Sequence, residues 1–178
     1  RHERLRTRAL PDDDGVITNV IVHDALGSAQ ACWEGDLSHV VDGVILARDL
    51  FAEPANLLYP ETYVEALGDL EPLGVTVEAL GPEELRANGM GAMLAVAQGS
   101  AREPRLAILR WQGADDPQEA PIAFVGKGVT FDSGGITLKP AKGMEEMKGD
   151  MAGAGAVTGA MRALAGRGAK INAIGVLG

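Results

Sequence analysis

Residues 122–125, Ile-Ala-Phe-Val, form an unbroken apolar run that ends directly in Gly126, and Gly128, Gly134 and Gly135 follow closely. A short apolar run bounded by glycine predicts a strand covered on both faces, at a central position in a sheet. A strand that empties into a glycine-rich loop is also the place where open α/β sheets build their sites, at the carboxyl ends of the strands. That junction constrains the fold more than any other stretch of the chain.

The surrounding pattern alternates strand and helix. Strands are expected over residues 16–22, 75–79, 105–111, 122–125 and 171–177. Asp36 or Ser38 is expected to cap a helix whose apolar residues Leu37, Val40, Val41, Val44, Leu50 and Phe51 recur at helical spacing, with Pro54 ending it. Pro60 suits the first turn of a helix over 60–67. A short helix over 83–88 stops at Gly89, and a longer one spans 151–164. The alternation predicts an α/β fold with a mixed, largely parallel sheet flanked by helices.

Composition narrows the class. Of 24 glycines among 178 residues, 13 lie after residue 125, without the three-residue period of collagen. Hydrophobic residues at 46% are too many for a disordered chain. No apolar run approaches the roughly 18 residues of a membrane span, and the first residues do not resemble a signal peptide. A net charge of −9 disfavours general binding to nucleic acid or anionic membranes. The single cysteine, Cys32, excludes an internal disulfide, suits a reducing cytoplasm and reads as a small buried hydrophobe.

The basic residues divide unevenly. All five lysines, Lys127, Lys139, Lys142, Lys148 and Lys170, fall in the last 52 residues, whereas the other 11 basic residues are arginines. An amine can release its proton and offer a lone pair; a guanidinium cannot. Lysine in the glycine-rich region is therefore a pointer to chemistry there.

Three kinds of site could use such a region. A phosphate loop needs Lys followed by Ser or Thr, but Gly128 follows Lys127; a dinucleotide fingerprint needs glycine where Phe131 stands. A serine nucleophile at Ser133 lacks a base, since His2, His23 and His39 all lie in the first 39 residues without a supporting motif. A metal site without histidine remains: Asp132 and Asp150 offer hard oxygen ligands, and Lys127 offers nitrogen if desolvation or a nearby cation favours its neutral form. Asp150, ahead of a small-residue helix, reads as its cap, a ligand or both. A glycine-rich structural turn with solvated charges stands beside this reading on the residues alone.

The letters go further. Val-Gly-Lys-Gly-Val-Thr-Phe-Asp-Ser-Gly-Gly-Ile-Thr-Leu-Lys-Pro over 125–140, then Met-x-x-Met-Lys-x-Asp-Met over 144–151, resembles the leucyl (cytosol) aminopeptidase family of two-metal exopeptidases. Ala-Arg-Asp-Leu-x-x-x-Pro-Ala-Asn over 47–56, Ala-Val-Ala-Gln-Gly-Ser over 95–100 and Arg-Thr-Arg over 6–8 extend the likeness.

The resemblance implies that Lys127, Asp132 and Asp150 are metal ligands, and that Lys139 polarises the scissile carbonyl and stabilises the tetrahedral gem-diolate. It implies Met147 as a wall of the pocket for the substrate's first side chain, and Thr137 near substrate. The implied cofactors are two divalent ions, manganese or zinc, with magnesium as another candidate, and bicarbonate in the complete enzyme. The implied partners are peptides with a free N-terminus, in a cytoplasmic homo-hexamer; no membrane partner is expected, and the net charge disfavours nucleic acid without deciding on a secondary DNA-binding role.

The family's downstream Asn-Thr-Asp-Ala-Glu-Gly-Arg run is not found before Gly178. Residues 1–27 are accordingly expected to end an N-terminal domain and linker, and 28–178 to begin a catalytic domain. This piece alone is expected to be inactive, the alternative function being a non-catalytic binding or assembly module. Ala-Gly-Ala-Gly at 152–155 departs slightly from the family's usual Gly-Gly-Ala-Ala. Glu145 and Glu146 are expected on a solvated face, with Lys142, Lys148 and Lys170 as surface charges. Gly153, Gly155 and Gly159 are expected to serve packing.

Overall fold

A computed structural model describes residues 19–25 and 27–178. The helices are α1 (Ala29–Cys32), α2 (Ser38–Ala52), α3 (Pro60–Leu67), α4 (Pro82–Ala87), α5 (Gly91–Ala97) and α6 (Ala152–Gly166). The strands are β1 (Thr76–Leu80), β2 (Leu106–Gln112), β3 (Ile122–Gly126) and β4 (Asn172–Leu177). A π-helical turn, Trp33–Leu37, joins α1 to α2, and 3-10 turns occupy Gly68–Leu73 and Met144–Met151.

The four strands form one sheet in the order β1-β2-β4-β3. It is mixed and flanked by helices, as expected, but with less parallel pairing: β3 and β4 are parallel, whereas β1–β2 and β2–β4 are antiparallel. The parallel pair is a βαβ unit whose crossover contains α6, as parallel neighbours require. Among the described residues β3 is an edge strand, and Val125 is 78% exposed; β4 takes the centre. Apolar character alone did not distinguish the two.

Helix α6 is the middle layer. It packs on β3, β4 and β2 and also against α2, so small residues recur along it. Ala154, Val157, Met161 and Ala165 are buried with Leu109, Ala173 and Leu177 of the sheet. Each fully buried Met161 or Leu109 side chain contributes about 1.5–3 kcal/mol. Gly175 of β4 lies under α6: a Cβ there would come within 2.9 Å of Val157 and 3.2 Å of Met161.

Several local expectations change. The helix containing 38–52 does not start at a polar cap, because Leu37 and Ser38 are already helical and the turns before them continue the path. Asp36 instead accepts from Arg167 Nε at 2.8 Å. Residues 19–22 form no strand, and residues 16–18 of that expected strand lie outside the described residues. Cys32 is exposed rather than buried. Helix α5 has no counterpart among the expected elements. The helix expected over 60–67 is present with those bounds, Pro60 in its first turn and Thr62 Oγ1 accepting from the Tyr59 amide at 3.0 Å. Among the described residues no helix is long and apolar enough to cross a membrane.

Candidate metal centre

The glycine-rich loop leaves the carboxyl end of β3 and returns to the N-terminus of α6. Gly126 permits a close approach of β3 to α6: a Cβ there would lie 2.6 Å from Gly153 O and 2.7 Å from Ala154 N. The Lys127 carbonyl then accepts from Ala154 N at 2.9 Å, satisfying one of the orphan donors at the start of α6. This main-chain contact replaces the expected side-chain cap. Asp150 lies in the preceding 3-10 turn, Met151 is the N-cap residue, and no side chain caps α6.

That geometry sends the Lys127 side chain toward Asp150. Lys127 Nζ lies 2.8 Å from Oδ1 and 2.7 Å from Oδ2. The lysine is more than half exposed, whereas Asp150 is held in the protein surface. Next along the loop, Asp132 Oδ1 accepts from the Gly134 amide at 2.8 Å, and Oδ2 pairs with Lys139 Nζ at 3.0 Å. The backbone closes this second pair: Lys139 N donates to Ser133 O at 3.0 Å, and Gly135 N to Thr137 O at 3.3 Å. Gly134 has φ of 104°, and a Cβ on it would overlap Thr137 O, so glycine is required there.

The two pairs share one electrostatic environment. The hydrogen bond from Lys139 holds the Asp132 carboxyl below its usual range. The Gly134 amide reinforces that shift, desolvation opposes it, and the charges of Lys139 and Lys127 add to it. All four side chains singled out from the sequence are thus brought together as two Lys–Asp pairs at the end of β3. Met147 is half-buried in the 3-10 turn and Thr137 is exposed in the loop. The cleft lined by Tyr63, Val64, Arg105, Gly128, Thr130 and Leu177 contains none of the four charged side chains.

The donor set fits part of a divalent-metal site. Asp132 and Asp150 supply carboxylates, Lys127 a nitrogen, and Asp150 Oδ2 is a buried oxygen with no well-formed hydrogen bond. Divalent ions take four or more ligands. Among the described residues no three His, Cys, Asp or Glu side chains converge, so these three donors are a partial set.

Other charges divide differently from expectation. Glu145, Glu146 and Lys142 are exposed, and Lys170 makes only a solvent-exposed pair with Asp115 at 3.3 Å. Lys148 is not a solvated surface charge. Its Nζ donates to Phe51 O at 3.1 Å and Ala52 O at 3.2 Å. The sequence signal for this was weak: a lysine two residues before a candidate ligand, with its acceptors nearly a hundred residues away.

The model of the cytosol aminopeptidase family, catalytic domain, matches residues 45–178. A probable cytosol aminopeptidase of Methylorubrum populi is 51% identical over 179 aligned residues, covering 100% of this chain and 36% of that protein. One from Brucella melitensis is 64% identical over 139 residues, 78% of this chain and 28% of that protein. Among solved structures, the bottromycin maturation enzyme BotP in complex with Mn superposes with a TM-score of 0.78 at 32% identity, over 96% of this chain and 36% of BotP. Leucyl aminopeptidase from Trypanosoma brucei in complex with actinonin gives 0.74 at 31% identity, over 80% and 28%. The chain spans about a third of the length of the relatives it matches.

Proposed function

The chain belongs to the cytosol aminopeptidase family, and from that premise we propose that it carries the first part of a metal-dependent aminopeptidase site. The reaction is release of the N-terminal residue from peptides with a free amine. The observation that carries the reading is the meeting of Lys127 with Asp150 and of Lys139 with Asp132 in one loop at the end of β3.

Lys127, Asp132 and Asp150 would hold divalent ions, manganese, zinc or magnesium, and the manganese in BotP supports that class. When bound, such ions acidify a water and polarise a carbonyl. To ligate, Lys127 would offer a nitrogen lone pair in place of its ion pair with Asp150.

Lys139 has the opposite task. It remains an ammonium, aimed at the substrate carbonyl so that it stabilises the oxyanion as water adds to carbon. The C–N bond then breaks, and the proton lost by the water goes to the leaving amine. Met147 contacts the first side chain of the substrate, and Thr137 lines its path. Bicarbonate, a hexameric assembly and a cytosolic location complete the proposal for the full-length protein. The 178-residue span alone is inactive in this reading, because three donors do not complete two metal sites.

The test is Lys127→Arg in the full-length protein carrying this span. Metal analysis is expected to show loss of the ion that Lys127 ligates, with loss of leucyl-peptide hydrolysis. Full metal occupancy with activity retained would overturn the assignment.

A further inference from the structure

Lys148, Gly149 and Phe51 form a clamp between the end of α2 and the turn that carries Asp150. The last carbonyls of a helix lack intrahelical partners and carry partial negative charge. Lys148 Nζ meets two of them, Phe51 O and Ala52 O, and lies 5.2 Å from the centre of the Phe51 ring. Gly149 is pressed on the same ring: a Cβ there would lie 2.5 Å from Phe51 Cε2 and 3.0 Å from Cζ. On the other side of Asp150, Met151 is fully buried in the core. The Asp150 backbone is therefore fixed from both sides, while its carboxylate faces Lys127.

Resting on the reading of Asp150 as a metal ligand, we propose that Lys148 is a positioning residue for that ligand, acting through the end of α2 rather than by touching metal or substrate. A metal ligand must be held within about 0.5 Å of its productive position. An exposed lysine with no such task contributes little to stability. Lysine suits the role because its compact ammonium, with three donors, can serve two adjacent carbonyls at once.

The experiment uses the full-length protein and its Lys148→Met, Lys148→Gln, Lys148→Arg and Asp150→Asn variants. Manganese affinity is read by competition with a fluorescent chelator, and amide exchange over residues 144–151 is read in the metal-free protein. Lys148→Met and Lys148→Gln are expected to weaken manganese binding by about 10–100-fold, as loss of a ligand's supporting partner does. They are also expected to speed exchange in that turn while leaving the unfolding midpoint nearly unchanged. Lys148→Arg, which keeps charged donors, is expected to recover part of the affinity.

Wild-type affinity and exchange in Lys148→Met, beside weakened binding in Asp150→Asn, would overturn the positioning role alone. Unaltered manganese binding in Asp150→Asn would overturn the ligand reading and this proposal with it. A midpoint that falls in step with affinity in both neutral Lys148 variants would also overturn it, as a general folding defect.

Discussion

Gly43 of α2 and Gly159 of α6 meet backbone to backbone: a Cβ on either would overlap the carbonyl oxygen of the other. The two helices approach closely because neither has a side chain at the crossing, and α6 is thereby held between α2 and the sheet.

Gly43→Ala is accordingly expected to destabilise the fold. Alanine in place of a mid-helix glycine ordinarily gains roughly 0.5–1 kcal/mol. Here the added methyl meets main chain that can yield only if the helices separate, an overpacking cost of about 1–3 kcal/mol. The cost wins. Urea unfolding should show a lower midpoint with an unchanged slope; a higher midpoint would mean that the helices are not in this contact.

Tyr63 should make the fold sensitive to alkali. Thr158 donates its hydroxyl hydrogen to Ala154 O at 2.9 Å, which leaves its oxygen to accept from Tyr63 Oη–H at 3.1 Å. Burial, the largest influence on it, pushes the Tyr63 phenol up to about 12. The folded value lies above the ordinary value of about 10, so this stabilisation is complete below pH 10 and is lost as pH rises toward 12. Tyr63→Phe is expected to cost about 1 kcal/mol at neutral pH. It should also flatten the loss of stability between pH 10 and 12, measured by chemical unfolding at each pH.

Lys139→Met should release Asp132. Lys139 is the largest influence holding that carboxyl low, so its removal is expected to return the titration toward the ordinary carboxylate range. A carboxyl lowered in the folded state contributes stability at neutral pH that fades as pH falls through its folded value. Carbon-detected NMR of the Asp132 carboxyl checks this in the metal-free protein. An unchanged titration would show that Gly134 and Lys127 suffice.

Much of the fold was legible because its signals are local. Pro60 opens α3 where proline's fixed φ and missing amide cost nothing, and Gly89, with φ of 70°, ends the turn after α4. The strands at 105–111, 122–125 and 171–177 announced themselves as apolar runs, each observed within one residue at either end. The start of α2 was not legible: Asp36 would make a good cap in an isolated segment, but Arg167, far along the chain, takes its carboxylate. Nor could apolar runs show that, among the described residues, β4 pairs on both sides and β3 on one, since order in a sheet depends on long-range pairing.

The sequence by itself determined the chemistry available to the site. It put Asp132 and Asp150, with Lys127 and Lys139 among four lysines, in a glycine-rich segment after a strand, in an order that matches one family. Only the tertiary structure decided which charges meet. Lys127 reaches Asp150 because β3 and α6 touch at Gly126, and Lys139 turns back onto Asp132 because Gly134 has the conformation that closes the loop. Lys148, written like any surface lysine, became part of the scaffold when α2 brought two unpaired carbonyls beneath it. Residue types and local spacing fix what a side chain can do; its partner is set by packing between segments that sequence spacing does not relate.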